Sequence, residues 1–250
     1  MTPTHSSMTL DQCDALMSDK LGEPALLAVN FRRLAVIKAA LTVADARSTE
    51  LLAAAAERAE RNGGKVRSGR WVVEAQSYTT SASWSVPAAV IKKARPHLWE
   101  QCRARQRFVT VKPPGPMEAT AELWIPATPE ILKDPDVIVT CRQKLVDLKR
   151  PLELERDTLA QHLYALCQRV GWDWWDGEAT VTADGWQIQT AALKYAHERL
   201  KALDPELYER LAVEIPAASR VRRVVREFDP IRDEDLDDGD SDDSGMGRWG

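Results

Sequence analysis

The sequence predicts an α+β protein from three observations. Long stretches with helical spacing of apolar residues alternate with short β-branched and aromatic runs, glycine and proline mark the changes, and the same order of elements occurs twice. The expected organisation is a leader with a short helix over 1–22, a first α+β module over 23–116 and a proline-rich connection over 117–136. A second α+β module over 137–228 and an acidic tail over 229–250, expected to be disordered, complete the chain.

Between Glu23 and Arg61 there is no interior proline beyond Pro24 and no glycine, and LLAAAAERAER has high helix propensity. Leu26, Phe31, Leu34, Ile37, Leu41, Ala44, Leu51 and Ala55 form an apolar stripe. Asp19 is a candidate N-cap, and Pro24 fits a first helical turn. Unbroken, this helix would run roughly 58 Å. It is either a coiled-coil-like arm or a pair bent near Arg47-Ser48-Thr49. Asn62-Gly63-Gly64 supplies the stop.

KVRSGRWVVEAQSYTTSASW then reads as a hairpin turning at Ser68-Gly69. A short helix is expected from Val86-Pro87 to Ala94, and a further turn opens at Pro96 with Leu98 and Trp99. A strand follows at Phe108–Val111, and Pro113-Pro114-Gly115-Pro116 cannot continue it. Ala121–Ile125 is a candidate edge strand.

Val137–Leu148 is amphipathic, and Pro151 is placed as the first-turn residue of a new helix ending at Gly171. In WDGEATVTADGWQIQT, Asp184-Gly185 is a turn signal. The last helices are expected over 191–212, restarting at Pro205 behind the N-cap Asp204.

ARPHLWEQC at 94–102 matches LDPELYERL at 203–211, with Pro96 and Pro205 separated by 109 residues. Proline suits the opening of a helical turn, and the Leu-aromatic pair can pin that turn to its neighbours. Pro96, Leu98 and Trp99 in one copy, and Pro205, Leu207 and Tyr208 in the other, are therefore the expected structural anchors of a repeat. Glu100 and Glu209 follow them. Basic segments come next, RARQRFVTVK in the first copy and SRVRRVVREF in the second.

This order resembles a small module found among bacteriophage recombination and nuclease-associated proteins: a helical segment, a hairpin around a glycine, a Pro-x-Leu-Tyr-Glu-like turn and a final basic strand. The resemblance covers 50–112 and 152–226. Its markers are Gly64, Gly69, Pro96, Leu98, Trp99 and Glu100, then Gly177, Gly185, Pro205, Leu207, Tyr208 and Glu209. It implies work beside DNA-processing proteins and assigns no activity. Unlike the nuclease-linked form, this chain has no recognisable nuclease domain.

The formal net charge of -4 conceals a division. Residues 229–250 carry nine acidic and two basic side chains, a local charge of -7, so the remainder is +3. Lys92, Lys93, Arg95, Arg103, Arg105, Arg107 and Lys112 face a single acidic residue, Glu100, across 92–112. Arg220, Arg222, Arg223 and Arg226 form a second cluster. Such groups can meet phosphates without selecting a base, or equally form a solvated charged face or pair with the acidic tail. Trp99 and Tyr208 can stack on bases, although their place in the repeat favours internal packing.

Phosphate loops, dinucleotide-binding glycine patterns, zinc helices and nucleophile elbows are absent from the sequence. Glu74 on its apolar strand is a faint match to a metal-dependent nuclease, without the expected acidic and lysine companions. Glu153, Glu155 and Asp157 read as helix-surface carboxylates.

Cys13, Cys102, Cys141 and Cys167 lack CxxC spacing and read as thiols of a reducing compartment, with no cofactor implied. No apolar run reaches membrane-span length, and a cytoplasmic location is expected. The expected function is a non-enzymatic accessory or structural adaptor, working through a protein partner or homo-oligomer. One alternative is sequence-independent binding of single- or double-stranded DNA through the basic segments 92–112 and 220–226, and a second is a metal-dependent nuclease.

Overall fold

The computed structural model describes residues 8–117, 123–171 and 179–236, with the backbone alone for 105–108 and 191–193. The fold is α+β, with small antiparallel sheets. Helix α1 (Leu10–Leu21) opens with a capping box between Thr9 and Gln12 and stops at Gly22. Helix α2 (Leu27–Arg61) is one unbroken helix, about 52 Å long. Its first turn is capped from outside, because the Asp14 carboxylate accepts from the Leu27 N–H at 2.9 Å. Asp19, the expected N-cap, lies instead in the last turn of α1.

Strands β1 (Lys65–Ser68) and β2 (Trp71–Thr79) form the expected hairpin. Their two-residue loop begins with Gly69 at φ +54°, a conformation costly for any residue with a Cβ. After β3 (Ser83–Ser85) come α3 (Ala88–Ala94), α4 (Pro96–Gln101) and β4 (Arg103–Lys112). The 117–136 connection contains the short helix α5 (Pro129–Leu132). The proposed edge strand at Ala121–Ile125 does not form over 123–125, and 121–122 lie outside the described residues.

Helix α6 (Pro135–Arg169) corrects a second expectation: Pro151 lies inside it and does not start a new helix. Leu145 and Leu152 are buried on either side of the proline, so burial of the apolar stripe outweighs one missing N–H donor. Strands β5 (Thr180–Val181) and β6 (Gln187–Tyr195) flank the Asp184-Gly185 turn. Gly177, one of the sequence markers, lies outside the described residues. Helices α7 (His197–Leu203) and α8 (Pro205–Leu211) follow, with Asp204 capping the latter through the Leu207 N–H. Strands β7 (Val213–Ile215) and β8 (Ser219–Glu227) end the regular structure.

Strand pairing does not follow the division into 23–116 and 137–228. The sheets have the orders β1-β2-β8, β4-β6-β5 and β3-β7, each antiparallel and each drawing strands from both halves. The chain accordingly forms two compact units of interleaved segments. One contains Met1–Thr42, Ser81–Leu123 and Lys149–Ala217, and the other Val43–Thr80, Trp124–Leu148 and Ala218–Gly250.

In the first unit, Phe31, Leu34 and Ala35 of α2 join Leu163, Leu166 and Cys167 of α6 beneath Val109, Val111, Trp186 and Ile188. A satellite core there unites Val86, Ile91, Cys102, Leu200, Leu207 and Tyr208. In the second unit, Leu51, Ala55, Ala56 and Ala59 of α2 join Ile138 and Val139 of α6 beneath Val66, Trp71 and Val73. Apart from Leu26, which precedes α2 and is 55% exposed, the stripe proposed for a coiled-coil arm is buried within the chain.

Candidate nucleic-acid interface

Side chains alternate across a strand, and residues paired across an antiparallel ladder share a face. In the β1-β2-β8 sheet, Val66, Val73 and Val225 are in register and face the core. The opposite face carries the register pairs Tyr78–Arg220 and Gln76–Arg222, followed by Glu74 with Lys65 and Val224, and Val72 with Arg67 and Arg226. Tyr78, Gln76, Arg220 and Arg222 are exposed there. A groove of about 570 Å³ lies along Gln76, Ser77, Tyr78 and Arg222.

The four arginines of β8 have different employments. Arg223 faces the helix side and bonds Glu60 at 3.0 Å. Arg226 donates to the Glu74 carboxylate and, at 2.5 and 2.6 Å, to both oxygens of Asp233. Among the described residues, Arg220 and Arg222 enter no ion pair. They are the members of this cluster whose charge is presented outward.

The Arg226 site also revises the start of the acidic tail. Residues 229–236 are structured by turns, and Asp233 has no exposed surface. Lys65 Nζ reaches the same carboxylate at 2.7 Å, and Arg232 lies 3.7 Å from Glu74. Hydrogen bonds from Arg226 hold the Asp233 carboxyl far below its ordinary range. Burial pushes the Glu74 carboxyl up, but hydrogen bonds from Arg226 and Gln76 outweigh it, and the net shift is downward. Glu74 is therefore an ion-pair partner, an environment that accounts for it without metal chemistry. Residues 237–250 lie outside the described residues.

The first basic cluster is divided as well. Lys92, Lys93 and Arg95 are exposed on α3 and just after it, and Lys112 is exposed at the end of β4. Lys92 lies 5.1 Å above the Trp99 ring. Arg103 lies 4.7 Å from the same ring and bonds Glu100 at 2.8 Å. The side chains of Arg105 and Arg107 lie outside the described atoms. The 92–112 cluster belongs to one compact unit and the 220–226 cluster to the other.

Trp99 and Tyr208 pack as anchors. Leu98 and Trp99 lie against the satellite core that contains Leu207 and Tyr208, while Pro96 and Pro205 open α4 and α8. The Tyr208 hydroxyl donates to the Trp84 carbonyl at 3.1 Å, and its ring lies near His197 and Lys201. Both aromatic rings have resident neighbours. The exposed aromatic beside free arginines is Tyr78, which sequence reasoning did not select. Its signal was the run Glu74, Gln76, Tyr78 at strand period.

Among the described residues no three His, Cys, Asp or Glu side chains converge to hold a metal ion. Glu155 pairs with Arg33 at 2.6 Å, Glu153 with Lys149 at 3.4 Å, and Asp157 with Arg156 at 2.8 Å. Burial raises the thiols of Cys13 and Cys167, to about 11 and about 12, so both are held as unreactive core groups. No helix of the described residues is long and apolar enough to cross a membrane. No known protein family, curated protein or solved structure matches the chain.

Proposed function

We propose that the protein is an accessory factor that binds nucleic acid without sequence selection through the outer face of the β1-β2-β8 sheet. The observation carrying this reading is the exposed set Tyr78, Gln76, Arg220 and Arg222, with both guanidinium groups outside any ion pair among the described residues. Arginines on this face neutralise phosphates, and an exposed ring supplies a stacking surface indifferent to base identity. Single-stranded DNA suits this pairing better than duplex, whose bases are already stacked.

Fluorescence anisotropy with labelled single strands of several compositions tests it. Binding should weaken steeply with salt and vary little with sequence. Arg220→Glu with Arg222→Glu should lower affinity and reduce the salt slope by about 1.4, the share of two phosphate contacts on a single strand. Arg103→Glu should do less, because that guanidinium is occupied by Glu100 and Trp99. Undiminished binding by the double variant would exclude this face.

The second reading is protein assembly, supported by the β3-β7 ribbon. Trp84, Val213 and Ile215 are 55%, 56% and 52% exposed there. Light scattering across a concentration series tests self-association, which Trp84→Ser with Ile215→Ser should abolish.

A further inference from the structure

The duplicated order of elements and the pairing of the strands carry a conclusion that neither carries alone. Helices α2 and α6 are each 35 residues long and start 108 positions apart, at Leu27 and Pro135. The pairs α3-α4 and α7-α8 start 109 positions apart. Each long helix is followed by a hairpin whose turn contains a positive-φ glycine, Gly69 or Gly185. A buried Ser68 or Thr182 precedes each turn and a buried Trp71 or Trp186 follows it. Each helix pair leads to a terminal basic strand, β4 or β8, although β8 is reached through the short β7.

The terminal strands do not join their own hairpins. Strand β8 pairs with β2 from Trp71↔Glu227 to Thr79↔Ser219, and β4 pairs with β6 from Arg103↔Tyr195 to Lys112↔Gln187. The exchange is reciprocal. The cores repeat it: the C-terminal part of α2 lies under the first hairpin with Ile138 and Val139 from the start of α6, whereas the C-terminal part of α6 lies under the second with Phe31 and Leu34 from the start of α2.

We infer that the chain is a covalent fusion of two copies of a module built to pair with a second copy of itself, each hairpin edge being the acceptor for the other copy's terminal strand. A two-stranded hairpin is marginal in water, and a third strand over a helix makes it stable. Neither repeat supplies that third strand to itself. Exchange of an identical element between protomers is a low-cost route to a dimer, and the 117–136 connection makes the exchange intramolecular.

A protease site inserted after Pro116 of the full chain tests this. After cutting, residues 1–116 and 117–250 should elute as one species on a native sizing column and separate only in denaturant. Two fragments that separate natively, each retaining its strand signal in circular dichroism, would overturn the inference.

A second variant guards against precipitation on cutting. Ser77→Cys with Val221→Cys, placed opposite one another on β2 and β8, is oxidised before cleavage. The fragments should then run joined at the mass of one chain on a non-reducing denaturing gel. Failure to cross-link, or cross-linking only between chains, would overturn the inference irrespective of solubility.

Discussion

Asp233 is fully buried where Arg226 and Lys65 meet its carboxylate, so its environment favours the ionised form. A carboxyl held below its ordinary 3.8 contributes stability that is present above that value and lost as pH falls below it. The protein should therefore lose resistance to urea as pH drops from 5 towards 2 (about the usual carboxylate range). Asp233→Asn should lower the urea midpoint at pH 7 and flatten that acid dependence. An unchanged midpoint would mean the tail residue is not held as described. Gly185 makes a second residue-level case: at φ +85°, an added Cβ would also stand 3.0 Å from Pro114 Cβ. Gly185→Ala should cost about 1–2 kcal/mol for the left-handed backbone alone, read by chemical denaturation.

Among the elements, α6 carries a proline in its interior at an exposed position. Pro151 cannot donate to the carbonyl of residue 147, and Pro151→Ala should raise stability by up to about 3 kcal/mol, measured as a higher melting temperature. This residue also shows where the sequence was legible. Gly69, Asp184-Gly185 and Asp204 specify turns and a cap through their own backbone chemistry, and the structure has them where expected. Pro151 is locally ambiguous, since a proline fits a first turn and is tolerated in an interior when flanking Leu145 and Leu152 are buried. The candidate site was legible as charge but not as geometry. Nothing local to SRVRRVVRE tells that Arg223 meets Glu60 and Arg226 meets Glu74, because those partners are more than 150 residues away.

At the scale of the whole molecule, the same non-local pairing decides what damage at one site does elsewhere. Val224→Pro would remove the β8 N–H that faces the Glu74 carbonyl in the ladder and leave that carbonyl unpaired, at a cost of about 1–3 kcal/mol. Hydrogen exchange should accelerate over 65–79, by roughly 5- to 150-fold for that cost. Amides of β4 and β6, in the other compact unit, should change far less. Acceleration confined to 219–227 would contradict the pairing. The division into 23–116 and 137–228 follows the match between ARPHLWEQC and LDPELYERL. It does not coincide with the compact units because sequence similarity records which segments are alike, and compactness records which segments touch.

Strand exchange also gives the chain an unequal history during synthesis. When β6 leaves the ribosome its partner β4 has already been made, but β2 must wait for β8, about 140 residues later. At roughly 5–20 residues per second that is about 7–28 s of translation. Throughout it the β2 edge has unpaired backbone groups, an invitation to pair with another nascent chain. Translation speed across the second half, or a chaperone holding the first, therefore bears directly on the yield of folded protein.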